Sequence, residues 1–242
     1  MPSPLRAFLL ISLLAVSLVG CANRPPPEPI RPLAKVALIE PGGDATMTFL
    51  NRGGGVVTAL FPIAGIALAA QMSANRDRLA ERFREIDYTP LEAFRVHVKR
   101  ELGALGVQTE LLSTSDAAQA RRSRDYRKLP GDAEAAIEVT LYTTNFMAPG
   151  FSFYKPSIYA AMWIARRSDG ASLGSTGYSY GPLSAKGDPR YFEVPEDVGF
   201  DGVDTMIEKP QAVADSLDAG FRLIARRLAE DVKTRIDGKP IE

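Results

Sequence analysis

Three groupings in this 242-residue chain carry the residue types that chemistry uses. Gly177-Tyr178-Ser179-Tyr180-Gly181 matches G-x-S-x-G, but that motif works as a strand-to-helix turn answered by a histidine later in the chain. Pro182 and loop-like composition follow it instead, and the single histidine, His97, comes earlier. The order serine, acid, histidine therefore has no way to assemble. Ser152-Phe153-Tyr154-Lys155 has the S-x-x-K spacing in which a lysine helps to activate a serine, yet the accompanying S-D-N and K-T-G are missing. A hydrolase is the weakest reading of the chain. One histidine and one cysteine are too few for a zinc site, and Gly53-Gly54-Gly55 lacks the lysine and hydroxyl of a phosphate loop. The expectation is a protein with no catalytic residues, no metal and no cofactor, in which His97 is a surface or boundary residue.

Two further groupings suggest binding. Arg121, Arg122, Arg124, Arg127 and Lys128 form a basic run broken by Asp125 and Tyr126. Such runs are most often solvated faces, and the alternative is a binding site for an anionic partner. Phe151, Phe153 and Tyr154 lie beside Pro149 and Gly150 in the connection from Met147 to Pro156. Aromatics on a loop either meet a partner or fold back as a lid over the sheet, and both readings stay open here.

Cys21 is the only cysteine. It follows a short basic start, Met1 to Arg6, and an apolar run, Ala7 to Val19, which is shorter than the roughly 20 residues a spanning helix needs and reads as an export signal. Leu18-Val19-Gly20-Cys21 resembles the lipobox of bacterial lipoproteins. The resemblance implies cleavage before Cys21, acylation of Cys21, and, with Ala22 rather than aspartate after it, an outer-membrane address with the domain facing the periplasm. Residues 1–20 are then signal and 21–33 a lipidated, proline-rich tether, leaving 34–242 as the folded part. Acidic and basic residues balance at 29 each, so no global field recruits nucleic acid.

The elements that must position any site follow from periodicity. Lys35 to Ile39 reads as a strand stopped by Pro41-Gly42-Gly43, and Thr46 to Leu50 as a second strand or hairpin arm. Gly53 to Asn75 carries no charge. It fits either a bent, buried helical segment or a membrane or ring-interface segment, and Thr58, Gln71 and Ser73 favour burial by diluting it. Arg76 to Ile86 continues as a surface helix. Thr89-Pro90-Leu91-Glu92 has the form of a capping box, opening a helix with Leu91, Phe94, Val98, Leu102 and Leu105 on one face. Val107 to Leu112 is a strand and Ser115 to Arg124 a short helix. Ala135 to Phe146, Ser157 to Arg166 and Ala171 to Tyr180 form a meander, Gly181 to Lys209 a long loop, and Val213 to Ile236 a closing amphipathic helix.

This order predicts an α+β fold, a mixed sheet with a three-strand antiparallel meander packed against helices. From Lys35 to Ile236 it resembles, in topology only, the amino-terminal domain of TolB and related domains of outer-membrane lipoproteins such as the curli secretion lipoprotein. The resemblance carries over no functional residue. It implies a non-catalytic, lipid-anchored component of a cell-envelope assembly, attached to the membrane through Cys21 and contacting an envelope protein or anionic lipid. The alternative is an oligomeric export component whose 53–75 segment meets the membrane or a ring interface, so a homo-oligomer stays open.

Overall fold

Parallel pairing sets the frame of the sheet. β1 (Val36–Gly43) lies between β3 (Thr109–Leu112) and β4 (Ala135–Ala148) and runs parallel to both. A parallel neighbour needs a crossover, and helices α1 (Pro62–Glu85) and α2 (Pro90–Ala104) supply it between β1 and β3. β4, β5 (Lys155–Arg166) and β6 (Ser172–Tyr180) form the expected antiparallel meander, and β7 (Tyr191–Phe192) adds a short parallel edge. The sheet order is β3-β1-β4-β5-β6-β7, with β2 (Met47–Asn51) also on β4. Helices α3 (Val203–Glu208) and α4 (Pro210–Ile236) complete an α+β fold.

In this computed structural model the described residues are 32–43, 47–51, 62–107, 109–112, 126–148, 153–182 and 187–241, with side chains described except at Asn51, 62–69 and Leu111. The chain divides into Met1–Arg31 and Pro32–Glu242, and the first unit lies outside the described residues together with Cys21.

Helices cover one face of the sheet. α4 packs on β5 and β6, α2 on β1 and on α4, and α1 on β2. Val213, Leu217, Phe221, Ile224, Leu228 and Val232 of α4 are all fully buried, as their spacing predicts. They meet Val36 and Leu38 of β1, Ile137, Val139 and Leu141 of β4, and Ile158, Ala160 and Met162 of β5 in one core. The opposite face is partly closed by the segment running into β4, where Tyr126, Leu129 and Ala133 pack on Ala37, Ile39 and Ala136.

The structure corrects several expectations. Pro41-Gly42-Gly43 does not stop β1 but belongs to it, beyond a register shift between Ile39 and Gly42. Gly43 has φ +142, and a side chain there would collide with the Leu141 carbonyl. β2 is no hairpin arm; it runs parallel along the upper half of β4, from Thr144 to Ala148. Thr89 stands at the N-cap of α2 but makes no side-chain cap bond, and Glu92 pairs with Arg95 at 2.5 Å instead of reaching back. Leu105 lies past the helix end and is exposed. The 181–209 region contains β7 and α3. Of 53–75, the part from Pro62 is helical, Pro62 opening α1 rather than breaking it, and 53–61 lies outside the described residues, as does the 115–124 helix. Among the described residues no helix is long and apolar enough to cross a membrane.

Candidate functional site: the outer face of the meander

The register of the meander builds a site on the face away from the helices. Three rows cross it. Glu138, Trp163 and Ser175 are partners in the first, Thr140, Ala161 and Gly177 in the second, and Thr143, Tyr159 and Ser179 in the third. Pleating sends alternate residues of each strand to the same face, so the rows share one surface while Ile158, Ala160, Met162 and Ile164 fill the core beneath.

A bulge shapes the third row. Leu141 pairs with Ala160 and Thr143 with Tyr159, leaving Tyr142 as the extra residue. A bulge re-aims its side chain and reverses the inside-outside phase of the strand beyond it. Before it Ile137, Val139 and Leu141 are fully buried, and after it Thr144, Phe146 and Ala148 are, with Asn145 between them 9% exposed. Tyr142 is left 55% exposed beside Tyr159, which is 40% exposed, with ring centroids 5.7 Å apart. The Tyr159 ring leans over Gly177, where an added Cβ would come within 2.7 Å of its hydroxyl. Glycine at 177 is thus what lets this ring occupy that place.

The result is a groove of about 430 Å³. Its floor is the small pair Ala161 and Gly177; Tyr142 and Tyr159 stand at one end, and Trp163 with Tyr126 at the other. Hydroxyls of Thr140 and Ser175 and the Glu138 carboxylate line it. The Tyr126 hydroxyl donates to Glu138 Oε2 at 2.9 Å, fixing both. Arg167 holds Tyr126 in turn: buried, it donates to the carbonyls of Tyr126 at 3.2 Å, Gly131 at 3.1 Å and Ala133 at 3.2 Å, and also to that of Leu129.

The residues that sequence reasoning singled out are scattered relative to this groove. Arg121, Arg122, Arg124, Phe151 and Ser152 lie outside the described residues. Arg127 and Lys128 are exposed in a 3₁₀ turn directly after Tyr126. Phe153 and Tyr154 are at the opposite end of the long strands. Tyr154 exchanges backbone hydrogen bonds with Phe200 at 2.8 and 2.9 Å and sets its ring edge-on to Phe49, while Phe153, 36% exposed, lies against Gly199 with Lys155 Nζ 5.9 Å from its centroid. Ser179 sits inside β6, paired with Tyr159, so no elbow presents it.

Sequence reasoning missed Tyr159 and Trp163 as a pair. The signal was the alternation in β5, where Tyr159, Ala161 and Trp163 interleave with the core positions, and the solvent-facing set contains two large aromatics.

Two polar clusters elsewhere are structural. The Tyr88 hydroxyl donates to Asp218 Oδ1 at 3.0 Å, His97 Nε2 is 3.8 Å from the same oxygen, and Arg100 donates to His97 Nδ1 at 2.9 Å. This set ties α2 to α4. Burial holds the His97 pKa below its ordinary value, and burial followed by the Asp218 charge raises that of Tyr88. Under β6, the Tyr178 hydroxyl donates to Asp231 Oδ2 at 2.9 Å, and Arg227 pairs with Asp231 Oδ1 at 3.0 Å. Burial pushes Asp231 up, against the opposing effect of the Tyr178 bond. Among the described residues no group of three histidine, cysteine or acidic side chains could hold a metal.

No family model matches the chain, and no curated protein matches it either. Solved structures align with it at low identity. Protein XCC0632 from Xanthomonas campestris, of family DUF330, is 10% identical over 88% of this chain and 91% of its own, with a TM-score of 0.44. A lipoprotein from Neisseria meningitidis is 12% identical, covering 60% of this chain and 81% of its own, at 0.26. The PelC dodecamer from Paraburkholderia phytofirmans is 11% identical, covering 84% and 95%, at 0.28. At this level of similarity none of them assigns an activity to this chain.

Proposed function

We propose that the chain is a non-catalytic, lipid-anchored binding component of the bacterial cell envelope, held to the outer membrane through Cys21 and presenting the outer face of its meander to a partner in the periplasm. The observation that carries the binding role is the unequal treatment of the two sheet faces. One is sealed by α1, α2 and α4, while the other displays Tyr142 and Tyr159 at 55% and 40% exposure around a groove. Large aromatics held on rigid strands are costly to leave in water and are favoured where a partner will cover them. The anchor rests on the Leu18-Val19-Gly20-Cys21 lipobox. Acylation at more than one position gives stable attachment where a single chain gives only reversible binding. The basic run at 121–128 and the Phe151, Phe153 and Tyr154 loop are secondary surfaces in this reading.

Cell fractionation with acyl labelling tests the anchor, and photo-crosslinking from position 142 tests the surface. Cys21→Ser is expected to lose the label and leave the outer-membrane fraction, and a crosslinker at 142 to capture an envelope component that one at Val96, on the helical side, does not. An unlabelled wild type, or equal capture from both positions, contradicts the proposal.

A further inference from the structure

We infer that the outer-face groove binds a saccharide built of neutral hexose or N-acetylhexosamine units, an inference that deepens the binding role proposed above and rests on it. Its dimensions come from the sheet. Trp163 and Tyr159 are four residues apart on β5, which places their backbones about 13 Å apart. Between them the sheet surface carries nothing larger than the Ala161 methyl, and the Tyr159 ring extends over its partner Gly177. The space is bounded by the Tyr159 ring over Gly177 at one end and by Trp163 at the other, with Ala161 between them. A volume of about 430 Å³ falls within the range of small-ligand sites, of roughly 300–1,000 Å³.

The lining chemistry narrows the class. A pyranose has apolar C–H faces and a rim of hydroxyls. Tyr142, Tyr159 and Trp163 offer flat amphipathic surfaces to the faces, while Thr140, Ser175, the tyrosine hydroxyls and the Glu138 carboxylate offer donors and acceptors to the rim. An acyl chain would strip water from those same groups without replacing its hydrogen bonds. A phosphate-bearing ligand would meet a carboxylate, and no cationic side chain is among the described lining residues. A peptide added as a strand needs an open edge, whereas β4 and β5 are paired on both sides along the groove, and β7 covers β6 at Ser179 and Tyr180.

Trp163 is the only tryptophan in the chain, so its fluorescence reports on this groove alone. The test titrates the protein as extracted from membranes, in a polyoxyethylene detergent free of sugar headgroups, with maltohexaose, cellohexaose and chitohexaose. A saturable change in Trp163 emission is expected with at least one of them. Half-saturation should rise at least about tenfold in Tyr159→Ala, where a wall is lost, and in Ala161→Leu, where the floor is filled, while Val96→Ala leaves it unchanged. Thermal melting of each variant confirms that it is folded, and Tyr142→Ala substitutes for any that is not. A response that these variants do not weaken places the sugar elsewhere and overturns the inference. No response to any of the three sugars, with an envelope protein still captured from position 142, overturns the saccharide and leaves the binding role. Silence in both measurements overturns both.

Discussion

Replacing Arg167 with methionine removes the side chain that ties the segment before β4 to the sheet. Arg167 is 8% exposed, and its guanidinium donates to the carbonyls of Tyr126, Leu129, Gly131 and Ala133. Methionine fills much of the same volume and donates nothing. A buried carbonyl left unpaired costs about 1–3 kcal/mol. Gly131 is exposed and regains water, whereas Tyr126, Leu129 and Ala133 are buried. Relaxation of the segment recovers part of the cost, so the net loss is about 3 kcal/mol. For a domain of this size that lowers the melting temperature by about 6–12 °C. Arg167→Lys keeps the charge but replaces a five-donor planar fork by one ammonium, and should lose about half as much. Circular dichroism melts measure both, and Trp163 emission reports the local effect, since Trp163 packs on the cluster that Arg167 secures. A methionine variant melting within about 2 °C of wild type, with unshifted Trp163 emission, refutes the reasoning.

Gly220 lies where α4 approaches the sheet, and a Cβ there would stand 2.7 Å from Ile158 Cδ1 and 2.9 Å from Tyr180 Cε1. Gly220→Val is expected to destabilise by about 3 kcal/mol or more through overpacking, read from urea unfolding, despite the better helix propensity of valine. Tyr178→Phe removes a partner from buried Asp231 and should cost about 1–2 kcal/mol, seen as a lower urea midpoint at unchanged slope. His97 faces Asp218, Arg100, Arg222 and Glu101, and its pKa is held below 6.5 chiefly by burial. The unfolded chain then binds the proton more readily, so His97 contributes stability above about pH 6.5 that is lost as pH falls through the lower folded value. Denaturant midpoints followed across that range should show this decline in wild type and a flatter profile in His97→Gln.

The helices and the meander were legible because their patterns repeat. Seven apolar positions on α4 recur at helical spacing, and six are fully buried. What the pattern hid were departures that only a neighbour imposes. The bulge at Tyr142 changes which residues of β4 face inward, and nothing local in Leu141-Tyr142-Thr143 announces it. β2 runs parallel to β4 because β1 ends its own pairing there, a tertiary fact that decides between the second strand and the hairpin arm that the sequence allows. The groove is half legible: alternation with Ile137, Val139 and Leu141 puts Tyr142 on the solvent side, but the register that sets Trp163, Ala161 and Gly177 around it depends on three strands at once. Arg167 reads in sequence as a turn residue and becomes the anchor of a buried segment only through carbonyls 34 to 41 positions away.

The central claim, that the outer face of the meander is the surface this protein uses, is tested most directly by hydroxyl-radical footprinting in intact envelopes and on the purified protein. Tyr142, Tyr159 and Trp163 should oxidise more slowly in the envelope than in isolation, with Val96 and Leu223 on the helical side unchanged. Equal oxidation of the three aromatics in both preparations, or protection confined to the helical side, would contradict it.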